Sequence, residues 1–279
     1  MNINESKFKL FLSEFTQKYP QFSNQKDLNY IFAGSFALNC YHFADNEIEI
    51  MTRKNDKEFI TQNTTEISDY NKKLLAQRVK TVGDMDIVLL SKKYQEMSSR
   101  FELNFDNSNY KELFTDSQIN YGKEDYKESI RIDGVKLTKD NVTKVKIGDN
   151  FFIVESPKNL LADKTIYTMR QLQQRIGGVE KTKNSLKDLY ILSQLSTQLF
   201  TQEDIQNSFV REIENIIKLH KKEGMALDYF TQNIGRLKEV MHEYCGDKLQ
   251  EIEKLLEQAI VIYRKKTEIP YRSSYEEIM

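Results

Sequence analysis

Tryptophan is absent from this chain of 279 residues, and there are only two cysteines, three histidines, three prolines and ten glycines. Each scarcity excludes something. Cys40 and Cys245 stand far apart, which argues against a disulfide scaffold and fits a reducing compartment. The histidines are His42, His220 and His242, with no CxxC or HExxH, so a His/Cys zinc site lacks its ligand set. Few Gly and Pro mean few loops and many helices. No apolar run approaches the roughly 20 residues that a membrane span needs. The opening stretch, MNINESKFKL, has no apolar centre of the kind a secretion signal carries. The expectation is a soluble, cytoplasmic protein with no membrane partner. Charge of one sign is not in excess either. With 41 Lys and Arg against 42 Asp and Glu, the molecule as a whole is no electrostatic glove for nucleic acid, and any basic surface is local.

What the chain does contain falls into two parts. FKLFLSEFTQKY (Phe8–Tyr19) has the spacing of an amphipathic helix. NYIFAGS (Asn29–Ser35) reads as a strand ending in a Gly turn, and FALNCYHF continues it as a helix. Residues 45–80 are crowded with Asn, Thr, Lys and Glu and read as an insertion or flexible arm with a helical tail at NKKLLAQRV. MDIVLL predicts a buried strand, SKKYQEMSSRF a helix and ESIRIDGVKL a strand. VTKVKI-GD-NFFIVE predicts a hairpin with a Gly-Asp turn. At Ser156 the character changes. Ser156 reads as an N-cap with Pro157 at the first helical position. Helical spacing then recurs near 157–175, 182–197, 202–222, 224–244 and 247–266. The expected fold class is α+β: a domain with a small mixed sheet over 1–155, including an insertion at about 45–80, and a helical bundle over 156–279.

Two stretches carry candidate chemistry. In AGSFALNCY a strand, the Gly34-Ser35 turn and a helix N-terminus follow one another, an arrangement that can cradle a phosphate; Ser35 can add a hydroxyl hydrogen bond. In TVGDMDIVLL, Asp84 and Asp86 lie two apart at the start of a strand, where residues i and i+2 share a face. Two aligned carboxylates without histidine suit a hard divalent cation such as Mg²⁺ and the phosphates of a nucleotide.

Strand, Gly-Ser, helix and then Asp-x-Asp on a following strand resembles the nucleotidyltransferase fold typified by DNA polymerase β. The second half extends the likeness. SPKNLLADK and KTIYTMR, with Lys164 and Arg170, and then LKDLYIL, with Lys187 and Asp188, resemble the third and fourth motifs of AbiEii/MenT-type nucleotidyltransferases, the toxins of type IV toxin–antitoxin systems. The resemblance spans about Tyr30 to Leu192. It implies that Gly34 and Ser35 hold the triphosphate and that Asp84 and Asp86 hold metal, Mg²⁺ or Mn²⁺. Lys164 would contact phosphate, Asp188 would be an essential carboxylate, and Arg170 and Lys187 would support phosphate or RNA. The implied reaction moves a nucleotide from an NTP to a hydroxyl of RNA, foremost a tRNA 3′ end, or of protein. The implied partner is a cognate antitoxin that need not touch the toxin. Ser156 to Lys187 holds seven Lys and Arg against two acids, a local net of +5 that suits an RNA backbone.

The likeness departs in spacing. Between Ser35 and Asp84, 48 residues intervene, far more than the family's pattern. Glu47 and Glu49 in NEIEIM, closer to Ser35, are a rival acid pair with Glu in place of Asp. Asp133 is the candidate third metal carboxylate, with Glu155 behind it. Two other functions use the same fold: a small-molecule nucleotidyltransferase of the antibiotic-resistance type, and a degenerate, non-catalytic partner protein.

Overall fold

The computed structural model describes residues 5–18, 20, 23–24, 30–45, 47–54, 59–78, 86–89, 142–174, 178–223 and 248–267. Asp84, Asp133, the helix expected over 91–101, the strand expected over 128–137 and the helix expected over 224–244 lie outside them. The chain divides into two compact units, Met1–Ser156 and Pro157–Met279. The class is α+β with a mixed sheet. No helix among the described residues is long and apolar enough to cross a membrane.

The first unit is built on six described strands. They are β1 (Tyr30–Ala33), β2 (Glu47–Arg53), β3 (Phe59–Glu66), β4 (Asp86–Leu89), β5 (Val142–Ile147) and β6 (Asn150–Glu155). Their order across the sheet is β3-β2-β5-β6-β1-β4. Only β1 and β6 run parallel; the other described pairs are antiparallel. Three described helices accompany the sheet: α1 (Glu5–Lys18), α2 (Gly34–Phe43) and α3 (Asp69–Arg78).

Alternation explains the burial of the central strands. Ile31, Ala33, Val142 and Ile153 form one buried cluster, while Phe32, Phe152 and Val154, one residue out of phase, are equally buried. The Phe32 side meets an aromatic core. Phe32 lies 5.0 Å from Phe36 of α2 and 5.9 Å from Phe152, and Phe8 of α1 stacks at 4.6 Å on Phe43. These ring contacts seat α2 on the sheet and so place the turn that begins it. Cys40 is buried within α2, and burial pushes its thiol up, out of the reactive range.

Of the reading of 45–80 as an insertion or flexible arm with a helical tail, the flexible arm is corrected, and the tail is α3 (Asp69–Arg78). Most of the arm is the β2–β3 hairpin, and β2 pairs with β5 from Ile48↔Val145 to Met51↔Val142. Ile48 and Ile50 alternate inward and are buried, which anchors the strand. The polar composition belongs to β3, an outer strand whose residues 60–64 are all exposed. Asn63 pairs Ile50 and Thr61 pairs Met51, so Gln62 is an extra residue, a bulge of the kind that blunts sheet edges.

The β5–β6 hairpin turns at Gly148-Asp149 as expected. Gly148 has φ 62°, and no positive φ occurs at Asp149, which is the pattern of a two-residue type II′ turn. A Cβ at Gly148 would meet nothing within 4 Å, so only backbone strain opposes a side chain there. Gly148→Ala is therefore expected to lower stability by about 1–2 kcal/mol, read as a shift in denaturation midpoint at constant slope.

The second unit contains α4 (Pro157–Gln174), α5 (Gly178–Leu199), α6 (Gln202–Glu223) and α7 (Leu249–Thr267). Leu161, Ile166 and Met169 of α4 and Leu186, Leu189 and Leu192 of α5 are buried at helical spacing. Helix α6 opens with a capping box. Asp204 N–H donates to Thr201 Oγ1 at 3.2 Å, and Thr201 N–H donates to Asp204 Oδ2 at 3.3 Å. Ser156 does precede Pro157 at the N-cap position of α4, but its buried hydroxyl has no hydrogen-bond partner, so the expected side-chain cap is not made.

Candidate functional site

The Gly34-Ser35 turn has the geometry of an anion cradle. Ala33 ends β1 in extended conformation (φ −123°, ψ −174°), and Gly34 at once takes φ 57°. That left-handed value is open to glycine at little cost, which is why the strand can break directly into α2 here. The helix has no side-chain cap and no acid in its first turn. No carboxylate of the helix's own first turn screens its leading N–H groups or the positive end of its dipole. Ser35 is half-buried within that turn.

The sheet register brings an acid to this point. Strand β4 runs antiparallel to β1 with Ala33 opposite Asp86, so the first residue of β4 stands beside the last residue before Gly34. On the other side of β1, the parallel pairing of Phe32 with Val154 carries Ala33 alongside Glu155. Asp86, Ala33 and Glu155 thus occupy one row across β4, β1 and β6. At one strand spacing per step, the two acidic positions are about 10 Å apart across the sheet, with the smallest side chain of the row between them. Glu155 is only 3% exposed. Buried carboxylates are uncommon enough to mark functional candidates when they sit beside such a turn.

Glu155 is held from behind. Tyr41 of α2 is fully buried and donates its hydroxyl hydrogen bond to the Glu155 carbonyl at 2.8 Å. Burial, with a smaller contribution from the negative charge of Glu155, pushes the Tyr41 phenol well above its usual range and keeps it a donor. The cradle helix and the acidic strand end are therefore tied together across 114 residues of sequence.

The rival acids are elsewhere. Strand β2 is separated from β1 by β5 and β6, about 14 Å at three strand spacings. Glu49 is engaged there: its Oε1 receives Lys144 Nζ at 2.8 Å and its Oε2 accepts from Thr61 Oγ1 at 3.0 Å. Glu47 is exposed at the start of its strand. Glu49 thus serves the sheet, as cross-strand charge pairs do.

In the second unit the structure joins Lys164 and Asp188. Lys164 Nζ of α4 lies 3.0 Å from Asp188 Oδ2 of α5. The carboxylate side chain is 2% exposed and the lysine side chain 22%. Lys187, next in sequence, is exposed, and Arg170 lies on α4. Nearby, Asn159 Oδ1 accepts from Ser208 Oγ at 3.0 Å and from Arg211 Nη2 at 2.9 Å, a buried polar link between α4 and α6 for which the sequence offered no periodic signal.

The structure thus gathers Gly34, Ser35 and Asp86 in the first unit and pairs Lys164 with Asp188 in the second. Asp84 and Asp133 lie outside the described residues. Among the described residues no group of three or more His, Cys, Asp or Glu forms a ready metal cage. The donor chemistry still fits a hard cation. The row carries two carboxylate positions and no soft ligand, beside a helix N-terminus that favours phosphate. Comparison with known protein families, curated proteins and solved structures finds no match.

Proposed function

We propose that this chain is a divalent-metal-dependent nucleotidyltransferase that moves an NMP from an NTP to a hydroxyl of RNA, foremost a tRNA 3′ end. A protein hydroxyl is the other acceptor class. In this reading it acts as the toxin of a type IV toxin–antitoxin pair whose antitoxin need not bind it. One observation carries the reading: Asp86 is registered opposite Ala33, immediately before the Gly34-Ser35 turn. Strand pairing spans the 50 residues between Ser35 and Asp86, which supports reading this acid and the cradle as neighbours.

The chemistry follows from charge. Transfer of a nucleotidyl group is mainly positioning and neutralisation of oxygens. The α2 N-terminus binds the anionic tail, with the Ser35 hydroxyl as an added donor. Asp86, with Asp84 and Glu155 as further acidic candidates, would hold Mg²⁺ or Mn²⁺; the cation, when bound, supplies charge neutralisation and lowers the pKa of the attacking hydroxyl. Glu155 joins Asp133 as a candidate third carboxylate because it shares the row of Ala33. Lys164, held by Asp188, supplies a positive group, and the +5 stretch suits an RNA backbone.

The test is incubation of purified protein with each labelled NTP, Mg²⁺ and total cell RNA. Label and a shift in the tRNA band are expected. Absence of NTP binding and of label in RNA and protein would leave the non-catalytic reading. Drug resistance without growth arrest on expression would leave the small-molecule one.

A further inference from the structure

Helix α2 is joined to the sheet at its first residue. Gly34 follows Ala33 with no spacer, and its φ of 57° lies in the region that glycine enters most freely. That joint fixes where the cradle begins and leaves the tilt of the helix open. Phe36 and Phe43 seat α2 by ring contacts, at 5.0 Å from Phe32 and 4.6 Å from Phe8. Apolar contact is non-directional and tolerates a small slide. A hydrogen bond does not, because it weakens steeply once its angle is lost. Tyr41, seven residues past Gly34, makes one: its hydroxyl donates to the Glu155 carbonyl at 2.8 Å. Seven residues of helix span about 10 Å. The helix is thus a lever, jointed at the cradle and pinned two turns along to the strand end that carries Glu155.

Glu155 and Asp86 flank Ala33, so the carbonyl that Tyr41 grips belongs to the row of the acid beside the turn. A slide of about 1 Å at the pin, over an arm of about 10 Å, tilts the leading N–H groups by about 6° against that row. We propose that Tyr41 is a positioning residue: through the Glu155 carbonyl it sets the angle between the anion cradle and the acidic row. The inference rests on the nucleotidyltransferase reading for the cation and the phosphates that the two ends hold. It gives a role to a side chain that is fully buried, two turns away from the cradle.

The test is the coupling between metal and nucleotide. NTP affinity of the full chain is measured in EDTA and in saturating Mg²⁺. Mg²⁺ is expected to strengthen binding. Tyr41→Phe keeps the ring, removes the hydroxyl and is expected to shrink that gain by roughly 5-fold or more. Affinity in EDTA should stay as it was, since the cradle itself is untouched. For transfer, kcat/KM should fall further than affinity does, by up to about 100-fold, because the reacting groups need the alignment most. A merely structural bond would lower the thermal midpoint and leave the gain from Mg²⁺ unchanged. Phe43→Leu is the matched control: it loosens the same helix and keeps the bond. Equal loss of coupling in both variants, or a full gain from Mg²⁺ in folded Tyr41→Phe, overturns the proposal. If Tyr41→Phe does not fold, 4-aminophenylalanine in place of Tyr41 takes its part as a weaker donor of the same reach, with the same two outcomes. Coupling that depends on Tyr41 without any transfer supports the proposal and removes the enzyme reading. Transfer with coupling indifferent to Tyr41 does the reverse. Absence of both NTP binding and transfer removes both.

Discussion

Asp86→Ala is expected to reduce metal-dependent nucleotide transfer by about 10³-fold or more. Loss of one fixed electrostatic donor to a transition state already costs about 10²–10³, and a metal-bearing carboxylate holds more charge than that. The fold should survive. Asp86 is the first residue of β4, an outer strand of the described sheet, and its backbone pairing with Ala33 does not depend on its side chain. An unchanged thermal midpoint beside lost transfer would be the expected pair of results. Glu49→Ala is the matched control. It removes the partner of Lys144 and of Thr61 and is expected to affect stability slightly, as a half-exposed pair does, with transfer retained. Glu155→Gln is informative between the two. It keeps the shape of a buried side chain and removes its charge, so transfer should fall if Glu155 is the third carboxylate. The assignment fails if Asp86→Ala transfers normally while Glu49→Ala or Glu47→Ala does not.

How much of this was legible follows from where each signal resides. The β1 strand, the Gly34 turn and the β5–β6 hairpin are written locally, in apolar runs, alternation and a Gly-Asp pair, and the structure has them. The 45–80 region was harder because local composition and long-range pairing conflict. Asn, Thr, Lys and Glu read as solvent-exposed chain, and β3 is indeed exposed; what makes it a strand is β2, held to β5 a hundred residues later. The choice between acid pairs has the same origin. Sequence spacing favours Glu47 and Glu49, whereas strand order sets Asp86 beside the turn and β2 three strands away. Burial of Glu155 and the Tyr41 bond to its carbonyl have no local signature, since both depend on packing between elements far apart in sequence. The Lys164 and Asp188 motifs were visible, but not that each is the other's partner.

That partnership predicts the largest effect on stability. Lys164→Ala leaves the Asp188 carboxylate, 2% exposed, without its cation. Breaking a buried pair in this direction costs about 3–5 kcal/mol, and the lower end applies because Asp188 has further contacts. Asp188→Ala should cost less, about 1–2 kcal/mol, because Lys164 is 22% exposed and its flexible stem can carry the ammonium into water. The order of the two denaturation midpoints checks this asymmetry, and a double-mutant cycle measures the coupling. Replacing both partners separates structure from chemistry. Lys164→Met combined with Asp188→Leu exchanges the ion pair for apolar groups of similar volume, a change that is often neutral in stability. If the pair were only a strut between α4 and α5, the double variant would regain both stability and transfer. The nucleotidyltransferase reading requires the other result: stability regained and transfer still lost, because no cation remains for phosphate and no carboxylate to hold it.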